Sequence, residues 1–169
     1  MVSRYPFPAN PNGWFRVAYS SELENGEVKP LHLLGRELVL WRDGDGDAHM
    51  LDAFCAHLGA HLGHGGKVEG KGIRCPFHSW HWGPDGQCLD VPYAKRVPAK
   101  AQIRSWEIRE KNGLVMVWHH AKGEPPAYEL PDLEEYGSEG WTPYEVRKWK
   151  VKSRWLDMNE NAVDQIHFR

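Results

Sequence analysis

The sequence has no long hydrophobic run. Its longest unbroken apolar stretch is Leu114 to Trp118, far short of the roughly 20 residues a membrane-spanning helix needs. It has few cysteines, three in 169 residues, and an odd number that small argues against a disulfide framework. It has no excess of either charge: 21 Lys and Arg stand against 23 Asp and Glu, a formal net charge of −2. A near-neutral chain is a poor candidate for a nucleic-acid surface. The first fifteen residues carry Pro6, Pro8 and Pro11 and no apolar core segment, so no secretory signal is expected. Internal repeats and low-complexity tracts are also absent. With 41% hydrophobic and 26% charged residues, global disorder is excluded. Histidine and tryptophan are abundant instead, ten and nine respectively.

The pattern is mostly β. Short apolar or alternating runs fall at Trp14 to Ala18, Leu38 to Trp41, Met50 to Phe54, Ile103 to Ile108 and Leu114 to Trp118. Turn signals separate them, among them Asn12-Gly13, Asp43-Gly44-Asp45-Gly46-Asp47 and Gly83-Pro84-Asp85-Gly86. Asn112-Gly113 predicts a tight hairpin, because both residues tolerate positive φ. The expected architecture is an antiparallel sandwich or partly open barrel. From Ala121 to Tyr144, scattered Gly and Pro among acidic residues read as a linker. Glu145 to Trp155 then reads as a strand, and Asp157 to Phe168, free of Gly and Pro, as a helix.

Chemistry concentrates in two short motifs, Cys55-Ala56-His57 and Cys75-Pro76-Phe77-His78, set among glycines. Each offers one thiolate and one imidazole. A Cys₂His₂ zinc site would more usually open with two cysteines two to four residues apart. Ligands that alternate sulfur, nitrogen, sulfur, nitrogen suit a two-iron cluster with both thiolates on one iron and both imidazoles on the other. Cys88 reads as a buried free thiol. His61, His64 and His81 read as loop residues or neighbours of the ligands, and His32 and His49 as surface residues.

These motifs, CAHLGAHLGHGG and CPFHSWHW, resemble those of the Rieske [2Fe–2S] proteins. The resemblance implies a Rieske domain over residues 13–120 with a two-loop cluster-binding subdomain. Cys55 and Cys75 would hold the inner iron, and His57 and His78 the outer one. Respiratory members carry a disulfide between the positions of Ala60 and Phe77, and hydroxyl donors at those of Trp80 and Trp82. Neither feature is present here.

The tail extends the resemblance. Asn161, Asp164 and His167 match the N-x-x-D-x-x-H motif that opens the catalytic domain of Rieske non-haem iron oxygenases. The likeness over residues 13 to 168 is to their sterol and steroid branch, that of 3-ketosteroid 9α-hydroxylases and cholesterol 7-desaturases. It implies a linker at 121–144 and, at 145–169, the first strand and helix of a truncated α+β domain. His167 would be one ligand of a mononuclear Fe(II), whose second His and carboxylate are not in this sequence. Asp164 would bridge His78 of one subunit to His167 of a neighbour in a homotrimer, carrying electrons for O₂-dependent hydroxylation or desaturation of a ring substrate. An NAD(P)H-dependent flavin reductase, with or without a ferredoxin, is the implied electron source, and the cytoplasm the implied location. The sequence is thus expected to be a fragment of a longer enzyme. A stand-alone Rieske ferredoxin shuttle is the competing reading.

Missing hydroxyl donors leave the extra electron less stabilised. The midpoint is therefore expected at the low end of the Rieske range of roughly −150 to +300 mV. A redox titration placing it above about +100 mV would contradict this.

Overall fold

A computed structural model describes residues 10–153, 155–164 and 166. Two compact units are present, residues 1–133 and 134–169. The described strands of the first are β1 (Gly13–Tyr19), β2 (Val28–Leu33), β3 (Arg36–Arg42), β4 (Ala48–Asp52), β5 (Lys67–Glu69), β6 (Gly72–Arg74), β7 (His81–Trp82), β8 (Cys88–Asp90), β9 (Ile108–Lys111) and β10 (Leu114–His119). They form three antiparallel sheets, ordered β1-β10-β9, β2-β3-β4 and β5-β6-β7-β8. None closes into a barrel, which agrees with the expected antiparallel sandwich or partly open barrel.

The strand β3 explains the layering. Leu38, Val39, Leu40 and Trp41 are all fully buried. Successive strand residues point to opposite faces, so an unbroken apolar run needs cover on both sides. Leu38 and Leu40 pack with Met50, Val115 and Val117 in one core, toward β10. Val39 and Trp41 pack with Leu51, Leu62 and Ile73 in a second core, which also contains Cys55 and Cys75. The middle sheet is therefore a partition with a hydrophobic core on each side.

Arg42, at the end of β3, ties the middle sheet to the β1-β10-β9 sheet. Its Nη1 and Nη2 donate to the two carboxylate oxygens of Glu110 on β9, both at 2.8 Å. Nε donates to the Leu23 carbonyl at 2.7 Å and Nη1 to that of Gly46 at 2.6 Å. The next residue, Asp43, is fully buried. It accepts from the amides of Asp45 and Asp47 and pairs with His49 Nε2 at 2.8 Å. His49 is thus a largely buried partner, not the surface residue expected, because the DGDGD turn folds over its carboxylate.

Asn112 and Gly113 both adopt positive φ, +52° and +70°, and join β9 to β10 as expected. The run from Ile103 to Ile108 is no continuous strand. Ser105 and Gln102 make isolated bridges to Leu51 and Gln87, and pairing with β10 begins only at Ile108. Residues 121–133 belong to the first unit and are fastened to it. Trp14 Nε1 donates to the Tyr128 carbonyl, Trp118 Nε1 to Glu124, Lys111 to Leu130 and Asn112 to Pro131.

In the second unit, the strand expected over Glu145 to Trp155 is absent among the described residues. Val146, Trp149 and Val151 are exposed, and no partner strand offers them a ladder. A helix, α1 (Trp155–Val163), forms two residues earlier than expected and ends before Asp164. Among the described residues no helix is long and apolar enough to cross a membrane.

The Arg42 pair gives a signed pH dependence. The Arg42 guanidinium holds the Glu110 carboxyl below its ordinary value of 4.5. A depressed folded pKa adds stability that is complete above the unfolded value and lost as pH falls through the folded one. Glu110→Gln should therefore make the acid limb of a urea-stability curve shallower. A limb as steep as that of the wild type would contradict the pairing.

Candidate metal centre

Two loops over the second core carry the four candidate ligands. The first joins β4 to β5 and the second joins β6 to β7. They share one backbone frame. The Cys55 amide donates to the Ala60 carbonyl at 2.9 Å, and the Gly59 amide returns to Cys55 at 2.8 Å. The Cys75 amide donates to the Trp80 carbonyl at 2.9 Å, and the Ser79 amide returns to Cys75 at 3.1 Å. Four residues after each cysteine the backbone turns left-handed, at Gly59 (φ +76°) and Ser79 (φ +56°). The histidine falls two residues after the cysteine in the first loop and three after it in the second, so matched frames present unmatched side chains. Pro76 rests against Gly65, where an added Cβ would stand 3.4 Å away, so the loops touch.

Sulfur lies inward and nitrogen outward. Cys55 and Cys75 are 2% and 4% exposed, and both are free thiols. His57 is half-buried and His78 exposed. Their rings lie 4.9 Å apart, edge to face. Leu58 and Phe77, beside them in sequence, are 67% and 68% exposed. Burial pushes the Cys55 thiol above its ordinary pKa, and the adjacent Cys75 adds to the rise. Two neighbouring thiolates in an apolar core are costly without a cation to compensate them.

Side chains from the surrounding strands hold the loops. Trp80 lies flat on the His57 ring at 4.6 Å and 7°, and its Nε1 donates to the Tyr93 hydroxyl at 2.6 Å. Arg74 Nη1 donates to the Ser79 carbonyl at 2.8 Å and to Asp90 at 2.9 Å. Its Nε and Nη2 grip Glu69 at 2.7 and 2.8 Å. Glu69 and Asp90 raise the guanidinium pKa further, so the cation is fixed. The indole N–H of Trp82 is buried with no partner. His61 packs edge-on to Phe54 and accepts the Gly63 amide on Nδ1, a role in loop structure. His81 reaches the Glu69 carbonyl at 3.0 Å. Cys88, on β8, is buried and free, with its thiol directed to the Asp90 carbonyl.

Arg74, Ser79 and Tyr93 were not evident as site residues from sequence, because only the fold brings Arg74 to Asp90 and to the Ser79 carbonyl, and Tyr93 to Trp80. Asp164 is in the second unit, where its carboxylate accepts the Ile166 amide at 3.0 Å. His167 lies outside the described residues.

Two metal groups compete for this donor set. A zinc site needs four donors around one ion. Among the described residues, no three His, Cys, Asp or Glu side chains converge to hold one metal ion. A two-iron cluster needs donors in pairs, and the pairs are present, buried sulfur beneath outward nitrogen. The unpartnered Trp82 N–H beside them also suits a group that brings anionic sulfur. The residues fit a [2Fe–2S] group.

Residues 13–107 match the Rieske [2Fe–2S] domain family. The chain belongs to that family. Its cofactor is accordingly a Rieske [2Fe–2S] cluster. Residues 117–169 match a second family, the 3-ketosteroid 9α-hydroxylase C-terminal domain. The oxygenase component of a 3-ketosteroid-9-alpha-monooxygenase from Rhodococcus rhodochrous is 38% identical over 159 residues, 92% of this chain and 41% of the relative. A cholesterol 7-desaturase from Xenopus laevis is 40% identical over 161 residues, covering 95% and 36%. Among solved structures, dicamba monooxygenase aligns with a TM-score of 0.68 at 26% identity, covering 76% of this chain and 39% of that one. The oxygenase of carbazole 1,9a-dioxygenase, in its reduced complex with ferredoxin, aligns with a TM-score of 0.59 at 29% identity, covering 68% and 30%. The chain spans roughly two fifths of the length of these curated relatives.

The shared loop frame predicts opposite effects at its two left-handed positions. Gly59→Ala has room for the methyl group but places an L-residue at φ +76°, and should cost about 1–2 kcal/mol. Ser79→Gly relieves the same strain and should raise the melting temperature. Shifts of the same sign in thermal unfolding would contradict the common frame.

Proposed function

We propose that Cys55 and Cys75 hold one iron and His57 and His78 the other, in the electron-transfer domain of a Rieske non-haem iron oxygenase acting on a sterol or steroid ring. The observation that carries the ligand assignment is the pair of buried thiols beneath paired, outward imidazoles on two loops of one frame. When bound, the cluster accepts and releases single electrons. The chain's own residues shape that exchange. The apolar core excludes water from the sulfur side, and Trp80, anchored by Tyr93, fixes the plane of the His57 ring. Arg74 holds the second loop by its Ser79 carbonyl. The exposed His78 edge is the open side, through which an electron would enter or leave.

The oxygenase reading draws on the second family match and on the names of the relatives, a steroid monooxygenase component and a sterol desaturase. A stand-alone shuttle would have no use for residues 117–169, which supports the oxygenase over that alternative. Of the three ligands of a two-His, one-carboxylate iron site, this chain offers His167. In the same reading Asp164 links His78 of one subunit to His167 of another, hydrogen-bonding both rings, in a homotrimer. Electrons would come from an NAD(P)H-dependent flavin reductase, directly or through a ferredoxin. The ferredoxin complex of the carbazole dioxygenase supports the second route. Buried free thiols suit a reducing cytoplasm.

Anaerobically purified protein should be coloured and contain about two iron and two acid-labile sulfide per chain. After one-electron reduction it should give the EPR spectrum of a His-ligated two-iron cluster. His78→Ala should abolish that spectrum. Colourless protein with one zinc and no iron would overturn the reading.

A further inference from the structure

Trp82 is fully buried, and its indole N–H has no hydrogen-bond partner. The five other tryptophans of the first unit all donate to a protein oxygen. Trp14 reaches Tyr128, Trp41 Lys71, Trp80 the Tyr93 hydroxyl, Trp106 the Asp52 carboxylate and Trp118 Glu124. An unmade bond to a buried donor costs about 1–3 kcal/mol, and native proteins leave few such groups unsatisfied. The exception therefore calls for an acceptor stronger than any that the protein offers without its cluster.

The surroundings narrow the choice. Trp80 and Trp82 flank His81 at the start of β7. Their rings lie 5.8 Å apart. Trp80 covers His57, and Trp82 shares the buried core with Cys55, the other candidate ligand of the same loop. No hydrogen bond joins the Trp82 indole N–H to the neutral Cys55 thiol. A thiol is a weak acceptor. An iron-bound thiolate is anionic, and hydrogen bonds to anionic acceptors are shorter and stronger.

We propose that the Trp82 indole N–H donates to the Cys55 sulfur of the bound cluster and raises its reduction potential. The inference rests on Cys55 being a ligand. Reduction adds one negative charge to the cluster, so a donor to its sulfur stabilises the reduced form more than the oxidised form. The absence of hydroxyl groups at positions 80 and 82 thus does not leave the sulfurs without a side-chain donor. Trp80 spends its N–H on Tyr93, and Trp82 keeps its own for the cluster.

The test compares the midpoint potentials of cluster-loaded wild type, Trp82→Phe and Trp82→Tyr, each with its EPR spectrum. Trp82→Phe removes the donor and keeps an aromatic ring. It should shift the one-electron equilibrium about tenfold toward the oxidised form, a midpoint lower by about 59 mV, with the Rieske spectrum retained. Trp82→Tyr restores a donor and should stay within about threefold of wild type, less than half that shift. An unchanged midpoint in Trp82→Phe with an intact spectrum overturns the inference and leaves the ligand assignment standing. A wild-type spectrum unlike that of a His-ligated cluster overturns the ligand assignment itself. If Trp82→Phe assembles no cluster, Trp82→Tyr decides: a midpoint within threefold of wild type supports the donor role, and a fall of tenfold or more overturns it.

Discussion

The burial of β3 on both faces is the constraint from which the rest of the domain follows. Four consecutive apolar residues, Leu38 to Trp41, cannot be satisfied by one core. Leu38 and Leu40 require the β1-β10-β9 sheet above them, and Val39 and Trp41 require the layer of β5 to β8 below. β5 to β8 are two or three residues each, too short to make a stable sheet without a packed face. They are held because Ile73 and Trp82 close the second core against Val39, Trp41 and Leu51. The Trp41 indole completes the join by donating to the Lys71 carbonyl in the β5-β6 turn. The loops that carry the thiols and imidazoles therefore stand on a floor set by the middle sheet, and their geometry inherits its rigidity.

That dependence also explains what could be read from sequence. The Cys and His spacing was legible as a candidate ligand set because each loop carries its own thiol and imidazole within a few residues. Asn112-Gly113 was legible because positive φ at two successive residues leaves few choices of side chain. β5 to β8 were not, since two- and three-residue strands carry no period to detect. The Ile103 to Ile108 run alternates like a strand, but it meets β4 in a single isolated bridge, Ser105 to Leu51, so tertiary position overrode pattern. Arg42 with Glu110, and Arg74 with Glu69 and Asp90, join residues from different strands. Only Glu69 and Arg74 share a short window of sequence; the other partners are 16 and 68 residues apart. Ser79 was hidden for another reason: a serine at φ +56° gives none of the notice that the equivalent Gly59 gives.

Between Ala121 and Leu133 the chain is bonded to the first unit at several points. Pro, Gly and acidic residues read as a linker, yet prolines remove amide donors without removing carbonyl acceptors. Such a segment can still be tied down if donors reach it from outside. Here the donors are the side chains of Trp14, Trp118, Lys111 and Asn112, which bond to the carbonyls of Tyr128, Glu124, Leu130 and Pro131. The Leu133 amide returns the favour to Asn112. Asn112 thus does two jobs, one in backbone conformation as the hairpin residue and one in side-chain bonding to the strap. Three of these four donors sit on β10 or the β9-β10 hairpin, so one turn organises both the edge of the sheet and the chain that leaves it.

The same separation of roles runs through the metal centre. Each loop must bury a sulfur and expose a nitrogen, and a single backbone frame achieves both. The cysteine opens the frame, where its amide is bonded back into the loop and its side chain faces the core. The histidine sits nearer the tip, where Leu58 and Phe77 are open to solvent. Shifting the histidine by one position between otherwise matched frames turns the two imidazoles to meet edge to face, 4.9 Å apart. The flat contact of Trp80 then falls on His57 alone, so the first imidazole is braced and half-buried while the second is left exposed. One outward imidazole is thus held by an indole, and the other is open to solvent.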